Sequence, residues 1–316
     1  MVGGTKRLKF ALCGDFECGK VENAPETFPY DCGEFISRKQ RFYGIEKALA
    51  NQPKMWYNKS TRKEVKSMTE LIREKLKEIE EKENIKIIHC VESGSRAWGF
   101  ASPDSDYDVR FIYVRPKEYY LRLDKTRDVI EWQLDDTLDI NGWDLQKALR
   151  LLHKSNPTLF EWNSSPIIYK TTDEWKEVSS IIEKYFVEKS GLYHYLSTAK
   201  SNYREYLKGD VVRLKKYFYV LRPLLACKWI LAEGTPPPML FKTLMDKYLD
   251  ESIKPDVETL LKMKMEMPEI GEGKRFDKIN DYLDGTIEEV EKVIAELPSK
   301  ETEKWEELNQ IFLKLI

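Results

Sequence analysis

In "TRKEVKSMTELIREKLKEIEEKEN" (61–84), Val65, Met68, Ile72, Leu76 and Ile79 recur at three- and four-residue steps, with Leu71 beside them. That spacing predicts an amphipathic helix with one stripe turned inward, and its Glu and Lys run is a solvated face. "IKIIHCVES" (85–93) is short, β-branched and almost continuously apolar, the pattern of a buried strand. In "DYDVRFIYV" (106–114), alternation sends Tyr107, Val109, Phe111 and Tyr113 one way and Asp106, Asp108 and Arg110 the other. "DVIEWQLDDTLDI" (128–140) reads as a hairpin turning at Asp135 and Asp136. With register kept, Ile130, Trp132, Leu134, Leu138 and Ile140 share its apolar side, and Glu131, Gln133 and Asp139 its polar side.

The Asn-Gly of "NGWDLQKALRLLHKSNP" (141–157) invites a hairpin, but Leu145, Ala148, Leu149 and Leu152 take up helical spacing at once. Asp144 then becomes a helix N-cap, and Asn156-Pro157 the stop. From about residue 172 the pattern is mostly helical. "HYLSTAKSNYREYLKGD", "VVRLKKYFYVLRPLLACKWILAEG" and "GTIEEVEKVIAELP" each carry an apolar stripe, "GTPPPM" is a firm break, and Met263, Met265 and Met267 are gap-filling or surface residues. The coarse architecture is α+β: an N-terminal extension (1–60), a small mixed-sheet domain (61–171) and a helical C-terminal domain (172–316).

Composition narrows the class. The chain is 41% apolar and 34% charged, which fits a soluble globular protein, and its formal charge of -2 excludes an indiscriminate polycation. A nucleic-acid partner would need a local basic patch. No run approaches the ~18 apolar residues of a membrane helix, and "MVGGTKRLKFALCGDFECGK" fails as a secretory signal, so a cytoplasmic protein is expected. The odd set Cys13, Cys18, Cys32, Cys90 and Cys227 argues against a disulfide framework. The first three are close in sequence, but no CxxC pair or nearby histidine completes a zinc ligand set.

The chemistry sits in "ESGSRAWGFASPDSDYDVRFIYV" (92–114). Asp106 and Asp108, two apart on a strand, point to one side roughly 6 to 7 Å apart, close enough to share a divalent ion. Asp139 on an adjacent strand is a third acid, with Asp136 and Asp144 as competitors better suited to a turn and a cap. Clustered carboxylates repel unless a cation neutralises them. Mg²⁺ suits them, because it takes hard oxygen ligands and brings nucleotide phosphates as others, with Mn²⁺ the alternative. Gly94 and Ser95 end a buried strand where backbone N–H groups and a hydroxyl can face a phosphate. A phosphate grip followed by a metal clamp outlines a nucleotidyl-transfer site. Asp104, in "SPDS", is a turn residue.

Gly94-Ser95, the spacer, Asp106-Tyr107-Asp108 and Asp139 resemble the signature of the DNA polymerase β-like nucleotidyltransferase superfamily. Together with "LDINGWDLQKALRLLHKSNP", "EWNSSPIIY" and "RLKKYFYVLRPLLACKWI", they resemble its branch associated with RNA repair, over about residues 65 to 240. The resemblance implies a palm-like mixed sheet backed by helices, Mg²⁺ dependence and a nucleoside triphosphate (NTP) as donor substrate. It makes Asp106, Asp108 and Asp139 metal ligands, the last also helping to deprotonate the acceptor hydroxyl. Gly94 and Ser95 would hold the β and γ phosphates, with Arg96 a further contact that the superfamily pattern does not require. The acceptor expected is RNA, with a tRNA end as one form. A protein or small-molecule acceptor, or a non-catalytic nucleotide-binding module, is the rival.

In "RLKKYFYVLRPLL", Lys215, Tyr219 and Arg222 fall at i, i+4 and i+7 along one helix side until Pro223 disturbs it, with Lys216 one residue away. Such a line could stack a base and neutralise phosphates, or be a solvated face. His89 reads as a satisfied core histidine, and His153 and His194 as structural or surface residues. "GEGK" (271–274) lacks the spacing and the Ser/Thr of a P-loop.

Overall fold

The computed structural model describes residues 67–133, 137–266, 271–298 and 304–316. The expectations for residues 1–60, with Cys13, Cys18 and Cys32, and for Val65, Leu134, Asp135, Asp136 and Met267 lie outside the described residues.

Helix α1 (Met68–Glu83) starts at Ser67, whose hydroxyl accepts the Glu70 N–H while the Glu70 carboxylate accepts the Ser67 N–H, a reciprocal cap. It ends at Asn84, which takes a left-handed backbone (φ 50°). The chain then passes through β1 (Lys86–Glu92), the single turn α2 (Gly94–Ala97), β2 (Tyr107–Val114), the short α3 (Lys117–Tyr120), β3 (Val129–Gln133) and β4 (Leu138–Asp144). Next come α4 (Leu145–His153), α5 (Pro157–Asn163), β5 (Ile168–Thr171), α6 (Asp173–Ile182) and α7 (Glu188–Tyr206). A short ribbon of β6 (Val211–Arg213) and β7 (Glu272–Lys274) brackets α8 (Lys216–Glu233), α9 (Phe241–Tyr248) and α10 (Lys254–Glu266); α11 (Asp277–Glu296) and α12 (Trp305–Leu315) follow.

The main sheet runs β3-β4-β2-β1-β5. Among the described residues its one parallel pair is β2 with β4, in a register that sets Asp108 beside Asp139. β3 and β4 form the expected hairpin, with Trp132 opposite Ile140 and Gln133 opposite Asp139, so the apolar and polar sides keep their register. One face of the sheet packs on α1: Ile72, Leu76 and Ile79 bury against Ile87, Val109, Phe111, Ile130 and Ile140. Each such side chain contributes about 1.5–3 kcal/mol. The other face, with Ile88, Val91, Ile112 and Val114, belongs to a core that continues through α4, α7, α8 and α11. Among the described residues no helix is long and apolar enough to cross a membrane.

Asn141-Gly142 lies inside β4 because a Cβ at Gly142 would sit 2.2 Å from the Phe111 ring; the glycine makes room for an aromatic neighbour rather than a turn. Pro157 opens α5 behind the Asn156 cap, so the helix stop is also a helix start. Pro223 does not end α8, which continues to Glu233. Segment 211–213 joins the ribbon rather than the helix after it, and "GEGK" supplies its second strand. His89 is buried and stacked on Trp175, but only Nε2 finds a partner, the Trp162 carbonyl at 3.3 Å. Its Nδ1 has none among the described residues, and burial pulls its pKa down to about 4, so it is a neutral core residue short of one hydrogen bond.

Asp144 caps α4 through the Gln146 N–H at 2.8 Å and accepts from the Tyr120 hydroxyl at 2.9 Å. Burial raises its pKa from an ordinary 3.8 to about 6, against the opposing pull of those two bonds. Because the folded state holds this proton more tightly, its stabilising contribution is full below about pH 3.8 and is lost as pH rises to about 6. Asp144→Asn should keep the cap and remove this dependence. Thermal melts from pH 4 to 7 should show a stability difference between variant and wild type that moves in the variant's favour as pH rises. A pH-independent difference would contradict the assignment.

Candidate active site

Asp108 is fixed through its backbone before its side chain makes any contact. Its carbonyl accepts the Ser93 N–H at 2.8 Å, and its N–H donates to the carboxylate of Glu92 at 2.8 Å. Glu92 is fully buried and also accepts from the Tyr169 hydroxyl. Burial pushes its carboxyl up, while the Tyr169 and Asp108 donors pull it back. The turn after β1 then closes on the Asp108 side chain. Gly94 has φ +58°, and a Cβ there would stand 2.0 Å from Asp108 Oδ2. Only glycine satisfies both the left-handed backbone and the close approach.

The return loop is braced by Arg96. Its guanidinium donates to the Asp106 carbonyl at 3.0 Å and the Ser105 carbonyl at 2.5 Å, and lies 3.6 Å from the centre of the Tyr107 ring. This residue shapes the approach to Asp106. Ser102 and Ser105 close the "SPDS" turn, with the Ser102 N–H and hydroxyl both 2.9 Å from Ser105 Oγ. Asp104 is exposed there, as a turn residue should be.

Between Asp108 and Asp139 stands a cation. Arg110 Nη2 is 2.9 Å from Asp108 Oδ1 and 2.7 Å from Asp139 Oδ2, and its Nη1 donates to the Asp139 carbonyl at 3.2 Å. Burial raises the Asp108 carboxyl; Arg110 opposes that, and the charges of Asp139 and Asp106 add to it.

Ser95, Asp104, Asp106 and Asp108 line a cleft of about 230 Å³ together with Phe100, Ser102, Ser105, Lys215, Tyr219 and Lys264. Tyr219 is partly exposed, and burial followed by the charges of Asp108 and Asp106 pushes its phenol up. Of the expected site residues, Ser95, Asp106, Asp108, Lys215 and Tyr219 therefore line one cleft. Gly94 packs beneath Asp108, and Asp139 is joined to the group through Arg110. Lys216 turns its ammonium toward the rings of Tyr206 (4.1 Å) and Tyr219 (4.7 Å). Arg222 is not brought to the cleft. It is buried in an ion pair with Glu161 at 2.8 Å and donates to the Met239 carbonyl, so the helical line through Lys215 and Tyr219 ends in the core. A larger groove of about 450 Å³ between α7 and α11, lined by Tyr193, Lys200, Arg204 and Glu291, contains none of the acids.

The carboxylates of Asp106 and Asp108, two residues apart at the cleft and each with hard oxygens, suit Mg²⁺ or Mn²⁺. Among the described residues no three Asp, Glu, His or Cys side chains converge into a ready-made cage. Protein atoms would therefore fill only part of an ion's coordination shell, with phosphate and water oxygens filling the rest, as Mg²⁺ commonly requires. The sequence pattern gives Glu92, Arg110 and Lys264 no role at the cleft, and gives Ser102 and Ser105 only that of turn residues. Glu92 carried one signal, a lone acid at the end of an apolar strand. Lys264 carried none, lying 159 residues from Ser105.

Residues 68–314 match the family described as "RlaP: RNA repair pathway DNA polymerase beta family". The chain is 45% identical over 253 residues to "Uncharacterized protein YcgL" of Bacillus subtilis (strain 168), covering 79% of this chain and 96% of that one. It also matches the crystal structure of a "nucleotidyltransferase-like protein" from Exiguobacterium sibiricum 255-15, with 12% identity over 77% of this chain and 79% of that chain. The TM-score of that match, 0.27, is too low to bear on the fold. With the family match spanning most of its length, the chain belongs to the RlaP family of DNA polymerase β-like nucleotidyltransferases linked to RNA repair.

Proposed function

We infer that this protein transfers a nucleoside monophosphate from an NTP to a hydroxyl of RNA, such as a tRNA end, and releases pyrophosphate. The observation that carries this reading is the contact between Gly94 and the Asp108 carboxylate, at a cleft that also holds Asp106, Ser95 and two lysines. A glycine pressed on a carboxylate lets the backbone of a phosphate-binding turn approach the acids that would share an ion with the same phosphates.

In the proposed reaction the hydroxyl oxygen bonds to the α-phosphorus, and the bond from that phosphorus to the α,β-bridging oxygen breaks. The electron pair leaves with pyrophosphate. Asp139, held by Arg110, receives the hydroxyl proton, and Asp106 and Asp108 would hold Mg²⁺ or Mn²⁺ with Asp139 as third acid. Such an ion, when bound, supplies Lewis-acid stabilisation of the transferring phosphoryl group and the leaving oxygen. Ser95 and the Gly94 backbone orient the phosphates, and Lys215 offsets their charge. Tyr219 offers its partly exposed ring to the base. Lys216 and Arg96 act on this site by supporting Tyr219 and the Asp106 loop. The acids come from residues 61–171 and Lys215 and Tyr219 from 172–316, which supports reading the first part as the catalytic domain and the second as a helical domain that completes its site.

Incubation with labelled NTPs, Mg²⁺ and total RNA should label RNA. Asp106→Asn, Asp108→Asn and Asp139→Asn should each lower the rate at least ~100-fold with melting temperatures near wild type. Equal labelling by wild type and variants would remove the acids from the mechanism. Label recovered on protein or in small molecules would move the acceptor away from RNA. Gly94→Ala should cost roughly 10- to 100-fold in rate, because its Cβ displaces Asp108; an active Gly94→Ala enzyme would show that the close approach is not used.

A further inference from the structure

Rings and cations alternate outward from the cleft wall. Tyr219 lines the cleft, and Lys216, at the start of α8, places Nζ 4.7 Å from the centre of its ring and 4.1 Å from that of Tyr206, the last residue of α7. Arg213, on β6, stands 5.7 Å from the same Tyr206 ring. Tyr206 is half-buried, so part of its ring stays open to solvent. Val212 is buried and Leu214 packs against Gly273, which leaves Val211, Arg213, Glu272 and Lys274 on the outer face of the ribbon.

This part of the surface is more basic than the chain as a whole. Residues 204–216 hold five basic and two acidic side chains, in a protein whose formal charge is -2. The neighbouring acids cancel little of that at the rings. Glu205 is engaged by the Tyr206 hydroxyl, and Asp284 pairs with Lys208. Glu272 lies 3.7 Å from Arg213, but both side chains are more than half exposed, and such a pair is worth little in water. Burial pulls the Lys216 pKa down, and the charges of Lys215 and Arg213 add to that against the opposing pull of Glu205. An anion beside Lys216 would relieve that repulsion.

An acidic peptide would answer the cations and leave the rings idle. A duplex keeps its bases stacked inside, away from any side-chain ring. A single RNA strand uses both kinds of group, because its bases are free to stack on tyrosine while its phosphates meet lysine and arginine. We propose that Tyr206, Lys216 and Arg213 form a track that leads the single-stranded end of an RNA into the cleft, with a base stacked on Tyr206 and the backbone phosphates drawn to the two cations. Such a track rests on RNA being the acceptor, and adds that the acceptor enters unpaired, past the ribbon and the end of α7.

The test uses the full chain and a short fluorescein-labelled oligoadenylate, alone and annealed to oligouridylate, with binding read by anisotropy at several salt concentrations. Wild type should bind the single strand about 10-fold more tightly than the duplex. Tyr206→Leu should weaken single-strand binding roughly 10-fold and Tyr206→Phe should restore it, since the ring and not the hydroxyl does the stacking. Arg213→Gln should weaken it less and flatten its salt dependence. Calorimetric titration of ATP with Mg²⁺ should give the same affinity in all of these variants. Failure of wild type to bind the single strand overturns the track, as does equal affinity for strand and duplex, an unchanged affinity in Tyr206→Leu, or a loss of equal size in Tyr206→Phe. Weakened ATP binding in Tyr206→Leu also overturns it, because the substitution would then act through the cleft. Oligoadenylate held through Tyr206 but never extended by wild type with NTPs and Mg²⁺ supports the track as a binding surface and sinks the transfer reading instead.

Discussion

A carboxylate at the head of a buried strand loses hydration, and the chain around Asp108 meets that loss from several sides at once. Glu92 and Ser93 hold its backbone, Gly94 packs beneath its side chain, and Arg110 balances its charge. Glu92 is itself a buried acid, which is tolerable because both of its side-chain oxygens accept hydrogen bonds. The remainder of the site is arranged around this one residue. The return loop brings Asp106 alongside it, the parallel pairing with β4 brings Asp139, and the helices bring the lysines and Tyr219.

Arg110 gives the arrangement a particular electrostatic character. A guanidinium shared by Asp108 and Asp139 lets the two acids lie side by side across a parallel strand pair where like charges would otherwise separate them. It leaves Asp106, at the exposed end of the pair, and Asp108 facing the cleft. The near-neutral total charge is compatible with a polyanionic substrate on these terms. Acids and lysines are partitioned within one cleft, and the formal charge of -2 averages over that partition.

The core explains how helices so far along the chain reach the sheet's acids. It runs from the inner face of β1 and β2 through α4 and α7 to α8 without a break, and the Arg222–Glu161 pair joins α8 to α5 inside it. A buried pair of this kind is weak evidence of stability but strong on geometry, since either charge alone would be costly. Arg222 thus contributes to the site indirectly, by fixing the helix whose start carries Lys215 and Tyr219.

What the sequence determined by itself is local. Apolar steps of three and four marked α1, alternation marked β2 and the β3–β4 hairpin, and the Asp144 cap followed from a helical pattern beginning one residue later. The spacing of Gly94-Ser95 and Asp106-Tyr107-Asp108 singled out residues that meet at one cleft, because a turn and a strand head are built from contiguous residues. Tertiary structure decided the rest. Helical spacing placed Lys215, Tyr219 and Arg222 on one line, but only packing could say that its far end is buried against Glu161. The Asn-Gly pair belongs to a strand because Phe111 needs its space. Arg110 became a bridge only once strand register placed Asp139 beside Asp108, and Lys264 joined the site only when α10 folded back on the 102–105 turn. Periodicity reports which way a side chain faces on its own element; what it meets there depends on contacts between distant segments, which no local pattern encodes.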